Sequence, residues 1–167
     1  AGCPADIDAS GRVDVTDLLT VISTWGACPA AQDDKRVVAY YIEWGIYGRD
    51  YQPMDMPGDK ITHVNYAFAN IGPDGRIAIG DPYAAIDRYY EGATWDQPYR
   101  GTYNQLNNVF KAQYPHVKTL ISVGGWTWSG RFSDIALTDA SREVFAESCV
   151  EFIQTYNFDG VDIDWEY

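Results

Sequence analysis

The sequence predicts an α/β fold in which strands alternate with helices. Four segments rich in β-branched and aromatic residues are typical of strands, at 36–44, 60–71, 116–125 and 158–167. Amphipathic helical segments at about 103–113 and 139–156 precede the third and the fourth of them. Because strand, helix and strand in succession form a right-handed βαβ unit, we expect one parallel sheet.

Local signals mark the ends of both helices. Thr138 precedes the helix at 139–156, where its hydroxyl can accept a hydrogen bond from an unpaired N–H group of the first turn. Pro115 ends the helix at 103–113, because proline has no N–H group to continue it. Cys149 lies on the apolar face of the second helix and is expected in the core, with Phe145, Phe152, Ile153 and Tyr156.

The segment 72–102 interrupts this alternation. It holds many turn residues and only short apolar runs, and it is longer than the ordinary βα connection of about 2–6 residues. We therefore expect a long loop that follows the carboxyl end of the second strand. Loops at that end of the strands are where α/β barrels build their functional sites.

Composition limits the classes of ligand. The 167 residues carry a net charge of -12, which argues against nucleic acid or an anionic membrane and favours a neutral ligand or a metal cation. Aromatic residues make up 15%, with six tryptophans and thirteen tyrosines. Two interpretations of them stay open: large core side chains, or rings that line a groove for flat sugar rings.

The first 30 residues are predicted to form a separate unit that contains an acidic loop. Residues 6–17, DIDASGRVDVTD, have the length of a calcium-binding loop, and Gly11 permits its sharp turn. Calcium takes about six to eight hard oxygen ligands. The predicted ligands are Asp6, Asp8, Ser10, the backbone carbonyl of Arg12, Asp14 and Asp17. The alternative is an acidic turn in front of a surface helix.

This loop resembles one repeat of a dockerin type I module. Asp17 stands at the twelfth position, where an EF-hand has glutamate, and the sequence continues with two leucines. Dockerins carry two such repeats, and one is visible here. The resemblance implies a small α-helical, EF-hand-like unit with a calcium ion in its loop, and a cohesin as the class of protein partner.

A linker at 31–36 separates this unit from residues 37–167. Cys3 and Cys28 bracket the first unit, and a disulfide between them fits a secreted protein. The chain begins AGCPADID, without the basic and apolar segments of a signal peptide, so we expect a secreted protein in its mature form. No run approaches the roughly 18 apolar residues that a membrane-spanning helix requires.

Acidic residues occupy every second position of the fourth predicted strand, FDGVDIDWEY. Asp162, Asp164 and Glu166 share one face, at steps of roughly 6.6–6.8 Å, because side chains on a strand alternate between faces. The opposite face suits packing against helices and carries Val161, Ile163 and Trp165. Neighbouring carboxylates resist simultaneous ionisation, so we expect at least one raised pKa, as a general acid near neutral pH requires. The alternative is an edge strand with a solvent-exposed acidic face.

Several motifs together resemble the family 18 glycoside hydrolases, the chitinases. DGVDIDWE at 159–166 matches the family signature D-x-x-D-x-D-x-E, and SVGG at 122–125 matches S-x-G-G. YYIEWGIYGRDY and HVNYAFANI resemble the first two strands of bacterial chitinases. The resemblance covers about residues 36–167. It implies a (β/α)8 TIM barrel, of which this chain would supply the first half, about β1–β4, with a truncated carboxyl end.

The resemblance implies roles for the acids. Glu166 is similar to the general acid that protonates the glycosidic oxygen and then acts as base for water. Asp164 is similar to the residue that orients the substrate acetamido group, Asp162 holds the buried end of the relay, and Asp159 supports the start of the motif. In this family the substrate's own N-acetyl oxygen attacks the anomeric carbon, which gives retention through an oxazolinium ion.

Further residues match positions that surround the acids in the family. The resemblance implies that Ser122 hydrogen-bonds Asp162 and that Gly124 and Gly125 allow the backbone to pass close to the site. The implied sugar-binding residues are Tyr40, Trp44, Phe68, Trp126 and Tyr167. Core packing is the alternative for these aromatic residues.

The expected activity is therefore hydrolysis of chitin or chitooligosaccharides without a catalytic cofactor, with endo action favoured. Two alternatives stay open, an endo-β-N-acetylglucosaminidase that acts on N-glycans and a chitin-binding lectin on the same fold. A lectin of this kind typically lacks the acid that Glu166 provides. Since four strands are half a barrel, the isolated 167 residues are expected to be inactive and poorly folded.

Overall fold

The computed structural model describes residues 12, 14–16, 19 and 35–167. The chain divides into two units, Ala1–Lys35 and Arg36–Tyr167. The architecture below is that of the second unit.

Four parallel strands form the sheet, as predicted from the alternation of strands and helices. They are β1 (Val38–Ile42), β2 (His63–Ile71), β4 (Lys118–Gly124) and β5 (Gly160–Asp164), and they pair in the order β1-β2-β4-β5. The pairing of β4 with β5 sets Ser122 opposite Asp162 and Gly124 opposite Asp164. Asp162, the first of the three acids on one face of the fourth predicted strand, therefore lies beside the serine of SVGG.

One strand was absent from the sequence-based prediction. β3 (Ile77–Ile79) pairs antiparallel with β2, within the segment that we expected to be a loop. A tight turn joins the two strands, in which Gly72 donates its N–H to the carbonyl of Arg76 at 2.8 Å and Gly75 has φ of 77°. β3 has only three residues and is flanked by turn residues on both sides, so it is too short to show the alternation of apolar and polar residues that identifies a strand.

Helical segments connect the strands. The 103–113 prediction corresponds to a continuous helical stretch that ends, as expected, before Pro115; its middle has π-helical hydrogen bonding. In chain order the α-helices are α1 (Gly45–Gly48), α2 (Gly101–Asn104), α3 (Lys111–Gln113), α4 (Gly125–Trp128), α5 (Phe132–Ala136) and α6 (Asp139–Tyr156). Pro53–Asp55 and Ser129–Arg131 are 3-10 helical turns, and Tyr83–Asp87 and Gln105–Phe110 are π-helical. No helix within the described residues is long and apolar enough to cross a membrane.

The ends of α6 confirm the prediction from capping signals. Thr138 Oγ1 accepts the N–H of Ser141 at 3.1 Å, and Ser141 Oγ accepts the N–H of Thr138 at 3.0 Å. These reciprocal bonds satisfy backbone donors that the first turn would otherwise leave unpaired. The helix ends at Asn157, which adopts the left-handed conformation with φ of 59°.

The core lies between the helices and one face of the sheet. Tyr66 on β2 contacts Tyr103 edge to face, with ring centroids 4.8 Å apart, and Tyr103 meets Phe158 at 5.1 Å. Cys149 is buried beside this cluster, as predicted. Among the residues that the structure describes, many aromatic side chains therefore lie in the core, whereas others, such as Tyr40, Trp44 and Trp126, are exposed.

Candidate active site

Asp162 is the centre of a hydrogen-bonded group at the carboxyl ends of the strands. Ser122 on β4 donates its hydroxyl proton to Asp162 Oδ2 at 2.7 Å, so the predicted bond is present. Tyr40 on β1 donates to the same oxygen at 2.9 Å. Charge-assisted hydrogen bonds of this kind fix the position of a carboxylate.

Asp164 lies two residues further along β5 and has a perturbed pKa. Loss of solvation is the largest cause that raises the pKa of this carboxyl, and the charge of Asp162 raises it further. This agrees with the expectation that one member of the carboxylate row resists ionisation.

Glu166 lies just beyond the strand, which corrects the predicted strand at 158–167. β5 ends at Asp164, and Glu166 is exposed and donates its backbone N–H to Ser129 Oγ at 3.1 Å. The Trp165 indole N–H donates to the carbonyl of Tyr167 at 2.6 Å. The acid thus stands at the rim of the sheet rather than in its hydrogen-bonded ladder.

The apolar residues that alternate with the acids are only partly covered by helices. Val161 packs against the core, as predicted for the helix-facing side. Ile163 and Trp165 are about half exposed, but they lie beside apolar residues of α5 and α6 such as Phe132 and Phe145, so they too are on the helix-facing side. Trp165 contacts α5 by stacking on Phe132, with ring centroids 5.4 Å apart and an interplanar angle of 19°.

The two glycines of SVGG allow a close approach that any side chain would block. Gly124 and Gly125 have φ of 105° and 69°, values that favour glycine. A Cβ atom on Gly124 would lie 2.5 Å from the carbonyl oxygen of Asp164, and one on Gly125 would lie 2.7 Å from the ring of Phe68. The close backbone passage predicted for both glycines is present.

Predicted aromatic residues surround one cavity beside the carboxylates. Trp44 stacks on Phe68 with centroids 6.3 Å apart, and Tyr40 contacts the same ring at 6.4 Å. Trp126 is 75% exposed and meets Tyr167 edge to face at 5.8 Å. The cavity has a volume of about 310 Å³ and is lined by Glu43, Trp44, Phe68, Gly124, Trp126, Thr127 and Trp128.

A second cavity of about 420 Å³ lies along β1. Its described lining contains Tyr40, Tyr41 and Arg49 but no carboxylate. The smaller cavity, next to Gly124 and beside β5, is therefore the better candidate for chemistry that needs an acid.

Glu43 is a lining residue that sequence reasoning missed. It follows β1 directly and is 4% exposed, and Tyr66 donates its hydroxyl to Glu43 Oε2 at 3.2 Å. Burial is the main cause that raises the pKa of Glu43 to about 8, and the charge of Asp81 adds to it. The position of Glu43 directly after a predicted strand, in YYIEW, could have indicated this role, because α/β barrels place their functional residues at the carboxyl ends of the strands.

Asp159 lies at the opposite end of β5 from the site. Its carboxylate contacts Lys111 Nζ at 2.9 Å and Lys118 Nζ at 3.4 Å and accepts the N–H of Thr119 at 2.8 Å. Loss of solvation raises the pKa of Asp159, but these partners outweigh it and the net pKa is lowered. Asp159 therefore anchors the entry to β5 and is not brought together with the other acids.

Most of the predicted calcium ligands cannot be placed. Asp6, Asp8, Ser10 and Asp17 lie outside the described residues, as do Cys3 and Cys28. Asp14 Oδ1 accepts the N–H of Thr16 at 2.8 Å, and Val15 and Thr16 are helical. Arg12 is exposed. Across the part of the chain that the structure describes, no group of three or more His, Cys, Asp or Glu residues could hold a metal ion.

A parallel sheet with acids and exposed aromatic rings at the carboxyl ends of its strands has the layout of an α/β glycoside hydrolase. The sequence profile of the Glycosyl hydrolases family 18 matches residues 36–167. The chain belongs to this family.

Relatives in this family share sequence and fold with the chain. It is 43% identical to chitinase A1 of Niallia circulans, over 90% of this chain and 26% of that protein. Chitinase ChiA74 from Bacillus thuringiensis superposes with a TM-score of 0.73 at 40% identity, over 80% of this chain and 28% of that structure.

A mutant of a chitinase domain from Ostrinia furnacalis, solved in complex with an N-acetylated chitooligosaccharide, has a TM-score of 0.66 at 28% identity. That match covers 79% of this chain and 32% of the Ostrinia structure. The chain therefore spans about a quarter to a third of the length of these three relatives.

Proposed function

We propose that the protein carrying this chain is a chitinase that hydrolyses β-1,4-linked N-acetylglucosamine polymers with retention. The observation that carries the proposal is the row formed by Asp162, Asp164 and Glu166. Asp162 is fixed by Ser122 and Tyr40, Asp164 has a raised pKa, and Glu166 stands at the rim. The relatives named as chitinases support the substrate class.

In the proposed reaction Glu166 protonates the glycosidic oxygen, and the bond between this oxygen and the anomeric carbon breaks. The carbonyl oxygen of the substrate's own acetamido group bonds to the anomeric carbon and gives an oxazolinium ion. Water then attacks this carbon and gives its proton to Glu166, while the bond between the carbon and the acetamido oxygen breaks, so the configuration is retained and both the acetamido group and the acid are restored. No nucleophile from the protein is required.

Asp164 has the chemistry needed to assist the acetamido group. Its raised pKa favours a form that can share a proton with Asp162 or Glu166, and its carboxyl oxygens can accept the acetamido N–H. Asp162 is held in place by two hydroxyl groups that donate to one of its oxygens.

The aromatic cavity supports a sugar ligand. Trp44, Phe68 and Trp126 line it, and Trp126 exposes three quarters of its surface without a covering side chain. Flat apolar rings of this kind match the faces of pyranose rings, while Tyr40 lies between the aromatic rings and the acids. A chain of N-acetylglucosamine units would cross the cavity toward Glu166.

Hydrolysis of chitooligosaccharides by the full-length protein tests this function. The Glu166→Gln variant should lose at least about 100-fold in kcat, since general acid catalysis contributes about 10²–10⁴-fold. Glu147→Gln, at an exposed position of α6, is the matched control and should retain activity. Equal rates for the wild type and Glu166→Gln would remove Glu166 as the acid, and chitin binding without turnover by the wild type would favour a lectin.

We also propose that the loop at 6–17 binds calcium. The support is the spacing of five side-chain oxygens and Gly11 in the sequence, together with the helical conformation of Val15 and Thr16 near the end of the loop. Titration of the full-length protein with calcium should show one site that Asp8→Ala removes. Asp139→Ala, which changes an acid of α6, should leave the titration unchanged.

A further inference from the structure

Ser129 connects three backbone groups next to the proposed acid. It begins the turn Ser129–Arg131 and is 1% exposed. Its Oγ accepts the N–H of Glu166 at 3.1 Å and lies 2.8 Å from the carbonyl oxygen of Gly125 and 3.1 Å from that of Asp164. A hydroxyl group has one proton, so it donates to one of these carbonyls at a time while it accepts from Glu166.

The hydrogen bond from the Glu166 N–H to Ser129 Oγ matters because Glu166 lies beyond the end of β5. β5 ends at Asp164, so the ladder that fixes Asp162 and Asp164 does not include Glu166. The segment that Ser129 contacts is the one that carries the acid, while α4 carries Gly125 and Trp126 of the cavity. Ser129 therefore connects the backbone of Glu166 with that of Gly125, which lies next to the cavity residue Trp126.

We infer that Ser129 is a positioning residue that sets the place of the Glu166 carboxyl group by holding its peptide N–H. This inference rests on the proposed role of Glu166 as general acid. A general acid must lie within about 2.6–3.2 Å of the atom that it protonates. A displacement of about 1 Å can cost about 100-fold in rate.

Ser148 provides a matched control for a purely structural serine. It is 3% exposed, its Oγ accepts the N–H of Ile77 at 3.0 Å, and it donates to the carbonyl of Phe145 at 2.7 Å. It thus makes the same kinds of bonds as Ser129, but between α6 and β3. Removing either hydroxyl leaves buried backbone groups unpaired and should cost comparable stability.

The experiment compares Ser129→Ala and Ser148→Ala in the full-length protein, with Glu166→Gln as reference. On chitooligosaccharides Ser129→Ala should lower kcat by about 10–100-fold with little change in KM, whereas Ser148→Ala should keep kcat within about 2-fold. Both variants should lose similar amounts in Tm.

A second substrate separates positioning of the acid from a general defect. A dinitrophenyl chitobioside has a leaving group that departs without protonation, so its cleavage depends little on a general acid. The kcat loss of Ser129→Ala should shrink several-fold on this substrate. If Ser129→Ala does not fold, Ser129→Cys gives the same test, because a thiol fills the space but is a weak acceptor.

Equal losses on the two substrates, or a Ser129→Ala variant as active as Ser148→Ala, would overturn the inference. A fully active Glu166→Gln variant would instead overturn the proposed function. The two failures are therefore distinguishable.

Discussion

The hydroxyl of Tyr40 lies 2.9 Å from Asp162 Oδ2, although Tyr40 is on β1, Asp162 is on β5 and two strands lie between them. Neighbouring strands lie about 4.8 Å apart, so three steps across a flat sheet would separate β1 from β5 by roughly 14 Å. A tyrosine side chain cannot span that distance. The sheet is therefore strongly curved, as in an arc of a barrel, with the carboxylates on its concave side.

Tyr40 and Ser122 should act together on Asp162, because both donate to the same oxygen. Tyr40→Phe and Ser122→Ala should each lower kcat on chitooligosaccharides by about 10-fold. This loss lies near the lower end of the roughly 1.5–3 kcal/mol that a hydrogen bond to a charged group contributes. The double variant should lose more than the product of the two, since each single variant keeps one donor. Strictly multiplicative losses would show that the two hydroxyls act independently.

Glu43 should make stability depend on pH. Its pKa is raised to about 8 in the fold, against about 4.3 in an unfolded chain, so folding takes up a proton between these values. The free energy of unfolding should fall by about 1.4 kcal/mol per pH unit as pH rises from about 5 to 8. Glu43→Gln removes the pH dependence that Glu43 contributes to the free energy of unfolding. The Tm of this variant minus the Tm of the wild type should therefore be larger at pH 8 than at pH 5.

The exposed Glu147→Gln substitution is the control for this pH dependence. It should give the same Tm difference from the wild type at both pH values. If Glu43→Gln also shifted Tm equally at pH 5 and pH 8, Glu43 would not be the buried acid that titrates with folding.

Trp126 should contribute to sugar binding and little to stability. It is 75% exposed and lines the cavity, so Trp126→Ala removes a surface for the sugar without opening the core. We expect KM for chitooligosaccharides to rise about 5–10-fold, or about 1 kcal/mol, with Tm almost unchanged. Tyr89→Ala changes an exposed aromatic ring that does not line this cavity and should leave KM unaltered. An unchanged KM for Trp126→Ala would exclude it from the binding surface.

Gly124 should not tolerate a side chain. Gly124→Ala combines a φ of 105° with a Cβ only 2.5 Å from the Asp164 carbonyl oxygen. The conformation alone costs about 1–2 kcal/mol, and the clash would push Asp164 away from its position. We expect a Tm lower by several degrees and a marked loss of kcat. Gly130→Ala meets nothing within 4 Å and is the control that should behave as the wild type.

Elements with strong local signals could be predicted from the sequence. The bounds of α6 follow from the capping threonine and the apolar face that includes Cys149. The four parallel strands follow from their composition and from the helices between them. The bond between Ser122 and Asp162 followed from the family motifs, because these place both residues near the carboxyl ends of neighbouring strands.

Features that depend on curvature or on a turn could not be predicted. The approach of Tyr40 to Asp162 needs the bend of the whole sheet, which no local pattern encodes. β3 is too short to show the alternation of apolar and polar residues that identifies a strand. The sequence also does not reveal that β5 ends at Asp164, because acids continue at every second position as far as Glu166. Ser129 acts through its side-chain contact with a segment 35 to 37 residues away along the chain.

Adjacent tyrosines on β1 have opposite environments. Tyr41 is buried in the core and donates its hydroxyl to the carbonyl of Tyr51 at 3.2 Å, while its neighbour Tyr40 reaches Asp162 on the other face. A slip of β1 by one residue against β2 would turn each of its side chains to the other face of the sheet. One of the two tyrosine places would then hold Ala39 or Ile42, and Trp44 and Glu43 would be displaced from the cavity. Faithful alignment of this first strand is thus a condition for the proposed catalysis.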